Sequence, residues 1–312
     1  MIINNEEIKP GETRSLEVNI AKLPSHSSID ISITVSRAIK EGPVLLLSGG
    51  LHGDEINGIE IVRRIIEQEY NIPIKGTIIC IPIINVFGFI HFSRNVPDGK
   101  DVNRSFPGNK NGSLASRVAY YLMKDIIPKI DYGIDFHTGG ADRTNYPQTR
   151  GLFSNSKVRE LADVFHAPFT LHSKYRPKSI RQSAAKLGKT ILVYEGGESA
   201  RFDEFAIQKG IEGALRVIKH LGMSDIKIKN PEYENVFINH SSWIRARASG
   251  LFQTLVSSGD KVEARQVVGN ITDPFGDFKV AVKSTYTGYV IGLNNNPIIH
   301  QGDAIMHIGL VQ

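Results

Sequence analysis

Apolar and polar residues alternate along RSLEVNI (residues 14–20) and IDISITVS (29–36), the period of strands with one face in a core. The intervening AKLPSHSS has turn composition, so the two segments read as an antiparallel pair. PVLLLSGG and GTIICIPIIN are unbroken apolar runs, the pattern of strands buried on both faces. Between them NGIEIVRRIIEQ has helical spacing, with Ile59, Val62, Ile65 and Ile66 on one side. This strand–helix–strand order continues. SRVAYYLMKDIIPK, KVRELADVF and DEFAIQKGIEGALRVIKHLGM read as helices, the last stopped near Gly222, and YGIDF and TILVYEGG read as strands. GGADRTNYPQTR (139–150) reads as a loop, and His166 and His172 as flanking another.

The pattern changes after about residue 230. IKIKNPEYENVF reads as a linker and entry strand, and from Trp243 onward short strand-like pieces alternate with glycine turns. The expected architecture is therefore α/β, with a mixed, mostly parallel central sheet and flanking helices over residues 1–233. A small all-β domain over 234–312 follows.

Composition narrows the classes of function. The 312 residues carry 37 Lys and Arg against 32 Asp and Glu, a formal charge of +5 without a basic block, which argues against nucleic acid as a partner. The mild excess of positive charge suits a small anionic substrate. Cys80 is the single cysteine and lies in an apolar run, so no intrachain disulfide can form and packing is its expected role. No apolar stretch reaches membrane-spanning length, and the polar N-terminus lacks the pattern of a signal peptide; a cytoplasmic location is expected.

Candidate chemistry sits at the strand ends. In GGLHGDEINGIE, His52 and Glu55 lie three apart where a buried strand gives way to a helix, so they face the same side of one turn. An imidazole and a carboxylate suit zinc, and His137, just past the YGIDF strand, is the candidate for the third protein ligand that catalytic zinc needs; unrelated polar residues at strand ends are the plainer alternative. In DVNRSFPG, Arg104 and the upstream Arg94 can grip a carboxylate through the guanidinium fork, with Asn103 donating beside them; a solvated surface turn is the plainer reading. TILVYEGGE brings Glu195 to a strand end, where it could move a proton, with Glu198 as its rival. Arg143, Tyr146, Arg176 and Arg181 could line the pocket, with loop surface the preferred reading for each.

In this order HGDE, DVNRSFPG, DFHTG and VYEGG resemble the segments of the succinylglutamate desuccinylase/aspartoacylase family, which belongs with the zinc carboxypeptidases. One departure is Gly196, where many members carry an aliphatic residue. The resemblance implies one zinc per chain held by His52, Glu55 and His137, with Asp101 orienting His52 and Asp135 in support. It further implies Glu195 as general base and then acid, Arg94 polarising the scissile carbonyl, and Asn103 and Arg104 binding a substrate carboxylate. The implied reaction is hydrolysis of a small N-acyl amino acid or related amide. A peptide carboxypeptidase, an esterase and a non-catalytic metal protein remain as alternatives. The C-terminal piece resembles a barrel-sandwich domain, but Lys283 lies within a strand rather than at a hairpin tip, against a lipoyl-type carrier. A homo-oligomer is left open.

Overall fold

The apolar runs become the middle of one large sheet. In the computed structural model, which describes residues 1–311, Val44–Ser48 lies between Thr77–Ile81 and Tyr132–Gly139 and runs parallel to both. Thr190–Glu198 continues the parallel order beyond Tyr132–Gly139. Successive side chains of a strand point to opposite faces. Leu45, Leu47, Ile134, Phe136, Leu192 and Tyr194 accordingly meet the helices Ile56–Glu67, Ser156–Phe165 and Glu204–His220 on one side. Leu46, Ile79 and Ile191 pack on the other side, with the helices Leu114–Tyr121 and Ile180–Lys186. Helices thus cover both faces, as expected of a sheet built from continuous apolar strands.

The sheet is mixed, with thirteen strands, but less parallel than the apolar runs suggest. The hairpin Thr13–Lys22 and Ser28–Arg37 borders it antiparallel on one side. On the other side Arg143–Gly151, Gly288–Asn294, Ala304–Leu310 and Ser241–Arg245 follow in antiparallel order. Residues 143–151 are therefore a strand and not the loop their composition suggests. The segment carries buried Asn145, Gln148 and Thr149 in place of an apolar stripe. It also contains Pro147, which falls where the ladder with Thr190–Glu198 slips register, a place where a missing N–H is tolerated. Between His166 and His172 the structure likewise has a short strand, Phe169–His172.

Among the described residues no helix follows His220. That long helix is capped by Leu221, with Gly222 next in the left-handed region and Met223 N donating to Ile218 O at 3.0 Å. Gly250–Thr254, Val267–Thr272, Lys279–Lys283 and Ile298–Ile299 form a separate four-stranded sheet. With the neighbouring strands it encloses its own core, including Phe252, Ile271, Val290 and Ile305. This region joins the main sheet directly through the ladder between Gly288–Asn294 and Arg143–Gly151. No helix among the described residues is long and apolar enough to cross a membrane.

One close approach sets where the site can form. Gly58, in the first helix, lies against the backbone of the strand that carries His137, and a Cβ there would stand 2.4 Å from Phe136 O. Gly58→Ala is expected to push helix and strand apart at a cost of about 1–3 kcal/mol, read as a lower thermal midpoint together with weaker metal retention. A variant as stable as the parent would contradict this packing role.

Candidate active site

The site lies at the C-terminal ends of the central parallel strands, where ligands collect in open α/β sheets. Val44–Ser48 leads into the turn carrying His52, and Glu55 is the residue from which the first helix starts. The neighbouring strand Tyr132–Gly139 carries His137. The register Ser48 opposite Asp135 brings the two strand ends level, so residues more than eighty apart in sequence meet. His52 Nδ1 is 2.7 Å from Glu55 Oε1, and His137 Nδ1 is 2.7 Å from Glu55 Oε2. The two Nδ1 atoms are 3.2 Å apart.

These three groups fit a zinc ion. Their ligand atoms all lie within 4.8 Å of one another, each residue is buried, and two imidazoles with one carboxylate are a nitrogen and oxygen donor set that zinc accepts. The outward nitrogens are held as well. His137 Nε2 is 2.7 Å from Asp135 Oδ2, and Ser48 Oγ donates to Asp135 Oδ1 at 2.7 Å. His52 Nε2 is 3.3 Å from Asp101 Oδ1. A carboxylate on the far nitrogen fixes the ring and leaves Nδ1 as the ligand atom. Thr138 N donates to Glu55 Oε2 at 3.1 Å, which steadies the carboxylate.

Arg94 reaches over this centre, with its two terminal nitrogens 3.1 Å from Glu55 Oε1 and 3.1 Å from Asp101 Oδ2. Asn103 and Arg104 lie in the short turn Val102–Arg104 and line the same cavity of about 430 Å³. Asn103 Oδ1 accepts from Ile180 N at 3.0 Å, and Arg104 is exposed. Glu195 lines the same cavity, as the register partner of His137 on the adjacent parallel strand. Its rival Glu198 is turned away and accepts from Asn295 Nδ2 at 2.8 Å. Gly196 also has a physical reason: a Cβ there would lie 2.6 Å from the Tyr194 hydroxyl, which donates to Ala206 O at 2.6 Å. Gly197 completes the turn at φ +78, a conformation that favours glycine.

The cavity wall contains more than the sequence reading placed there. Arg143, Arg176 and Arg181 line it and are not loop surface, whereas Tyr146 packs against Phe169 and Phe205. Arg150, to which the sequence reading assigned no role, is 3.1 Å from Glu195 Oε1, and Asn145 Nδ2 donates to Glu195 Oε2. Both were hidden by reading their strand as a loop. Trp243 enters from the C-terminal region, stacked on His307 at 4.5 Å with Arg143 over its ring at 5.5 Å. Burial, reinforced by the nearby Arg150, pushes His307 down to about 3, so this stacked partner stays neutral. Burial also pushes the Cys80 thiol up, away from the thiolate a nucleophile needs.

The charges at the centre depend on one another. Burial alone would lower His52, but Glu55 and then Asp101 outweigh it and raise it. Burial likewise opposes charge on His137, but Asp135 and Glu55 hold it well above the usual histidine value. Burial disfavours the charged form of Glu55, yet the two imidazoles keep it well below the usual carboxylate range. In the metal-free protein both imidazoles therefore stay protonated at higher pH than a free histidine. A metal must displace those protons, so its affinity is expected to fall with acidification, beginning above the ordinary histidine range. Calorimetry of zinc uptake, in buffers of different ionisation enthalpy, is expected to show proton release that grows as the pH falls; uptake without proton release would contradict the arrangement.

Known proteins resemble this chain in sequence and in fold. Residues 41–221 match the succinylglutamate desuccinylase/aspartoacylase catalytic domain. The N-alpha-acetyl-L-2,4-diaminobutyric acid deacetylase of Halomonas elongata is 28% identical over 260 residues, covering 79% of this chain and 75% of that protein. Among solved structures, the product-bound ectoine utilization protein EutE (DoeB) from Ruegeria pomeroyi superposes with a TM-score of 0.85 at 22% identity, covering 97% of this chain and 96% of the other. A succinylglutamate desuccinylase from Silicibacter sp. TM1040 gives a TM-score of 0.86 at 21% identity, with the same coverage. Both structural likenesses concern the fold. The match spanning residues 41–221, which contains His52, Glu55, His137 and Glu195, places the chain in the succinylglutamate desuccinylase/aspartoacylase family.

Proposed function

We propose that the chain hydrolyses the amide bond of a small, anionic N-acylated amine, with a zinc ion held by His52, Glu55 and His137 and Glu195 as the proton carrier. The observation that carries this reading is the meeting of three buried candidate ligands beside a cavity that Glu195 also lines. Family membership and the deacetylase relative support amide hydrolysis. Zinc bound there would acidify a water molecule and draw electron density from the amide carbonyl.

The protein's own groups do the rest. Glu195 takes a proton from the attacking water and returns it to the amine nitrogen as the carbon–nitrogen bond breaks, leaving a carboxylate and an amine. The Arg94 guanidinium, already fixed by Glu55 and Asp101, needs no reorganisation to stabilise charge developing on the carbonyl oxygen. Arg104 and the Asn103 amide nitrogen, whose carbonyl oxygen is committed to Ile180 N, bind a substrate carboxylate.

The cavity wall also bears on substrate class. Six arginines line it, against two carboxylates, Glu55 and Glu195. Both carboxylates are already paired with cationic or polar groups. A free ammonium, as on the diaminobutyrate named for the Halomonas relative, would find no carboxylate partner here and several like charges. The wall suits an acyl amine whose charges are negative. Trp243 bounds the cavity from the C-terminal side, which favours small amides over an extended peptide.

The test is a panel of N-acetyl, N-succinyl and N-aspartyl amines with the zinc-loaded protein, beside short peptides. Turnover of acidic N-acyl amines is expected, with peptides and diamines poor. Glu195→Gln is expected to lose about 10²–10⁴-fold in kcat while keeping its zinc, and Arg104→Ala to act chiefly by raising KM. A Glu195→Gln protein of normal activity and normal zinc content would overturn the mechanism.

A further inference from the structure

The Glu195 carboxylate does not hang free in the cavity. One oxygen accepts from Asn145 Nδ2 and the other is 3.1 Å from an Arg150 terminal nitrogen. Both partners come from the strand Arg143–Gly151, which runs antiparallel to the Glu195 strand. Glu195 lies opposite Gln148 and Gly197 opposite Asn145, and the register slips between these pairs. Such a slip bends the strand and re-aims its side chains, so the direction of Glu195 is not set by strand geometry alone.

On its other edge Arg143–Gly151 pairs with Gly288–Asn294, and Asn145 lies opposite Gly292. A Cβ at Gly292 would stand 2.9 Å from Asn145 Oδ1, closer than that side chain could tolerate without moving. Gln148 Nε2 donates to Ile291 O at 3.1 Å and ties the same two strands together. Asn145 is only 7% exposed, so its amide gains little by turning to water. Arg150 holds the other oxygen through a terminal nitrogen, while its Nε is buried without a partner.

We propose that Asn145 is the positioning residue that aims the Glu195 carboxylate at the reacting atoms, and that Gly292 of the C-terminal region provides the space in which Asn145 can do so. A glutamate side chain has three rotatable bonds. A second donor on its far oxygen removes the rotation that Arg150 alone leaves open. The consequence is that the C-terminal region takes part in aiming the base as well as bounding the cavity. The proposal rests on Glu195 being the proton carrier.

The test measures kcat, KM and zinc content of the zinc-loaded full chain for Asn145→Ala, Asn145→Ser and Gly292→Ala, and for Gly292→Ala combined with Asn145→Ala. Both Asn145 variants are expected to lose about tenfold or more in kcat, since a misplaced catalytic group can cost on the order of 10²-fold. KM and zinc content are expected to stay within about twofold of wild type, which a merely structural role would not produce. Gly292→Ala is expected to lower kcat severalfold when Asn145 is present and to have no further effect when Asn145 is already alanine. A kcat within about twofold of wild type for both Asn145 variants would overturn the proposal. So would an equal loss from Gly292→Ala in the two backgrounds, or no loss in either. Glu195→Gln separates the two levels. If it is inactive while the Asn145 variants are normal, only the positioning claim fails; if it is fully active, the assignment of Glu195 fails and the positioning claim fails with it.

Discussion

Glu55 is 2% exposed, and a carboxylate so far from water is costly unless cationic groups and hydrogen bonds surround it. Here His52 and His137 take one oxygen each, Arg94 adds a second contact to one, and the Thr138 N–H adds one to the other. Two imidazoles at 3.2 Å would repel if both were charged without that carboxylate. The three groups tolerate burial only together, and a divalent cation is the partner that satisfies all three at once. The supporting carboxylates Asp101 and Asp135 then serve to hold the rings with Nδ1 pointing inward.

This centre depends on the sheet beneath it. Parallel pairing of Val44–Ser48 with Tyr132–Gly139 levels the two strand ends, and the absent side chain at Gly58 lets the first helix settle close enough for Glu55 to reach His137. The antiparallel strand Arg143–Gly151 adds further lining, bringing Asn145 and Arg150 to Glu195 and linking the cavity to the C-terminal strands. His137 and Glu195 thus lie on neighbouring strands whose backbone hydrogen bonds set their separation, while His52 and Glu55 sit in the turn and helix start that follow Val44–Ser48.

The central strands and the longer helices were legible because buried strands and amphipathic helices leave plain hydrophobic periods. That His52, Glu55 and His137 come together was legible because metal chemistry restricts residue type and their places near strand ends are marked by glycines. Residues 143–151 were not legible as a strand. A strand hydrogen-bonded on both sides, with Asn145, Gln148 and Thr149 buried as polar groups and Pro147 at an irregularity, has the composition of a loop. With that strand went Asn145 and Arg150. Arg143, Arg176 and Arg181 were misplaced for a related reason: a single arginine in a polar stretch carries no local sign of facing inward. Trp243 reaches the cavity only through pairing between strands far apart in sequence, which no local pattern records.

The most direct measurement is a crystal structure of the zinc-loaded protein with anomalous data collected on both sides of the zinc edge. The account predicts one anomalous peak per chain at this centre, bound by Nδ1 of His52, Nδ1 of His137 and the Glu55 carboxylate, with one position open towards the cavity and Glu195. A zinc ion bound elsewhere, or a centre that stays as an ion-paired cluster in saturating zinc, would contradict it.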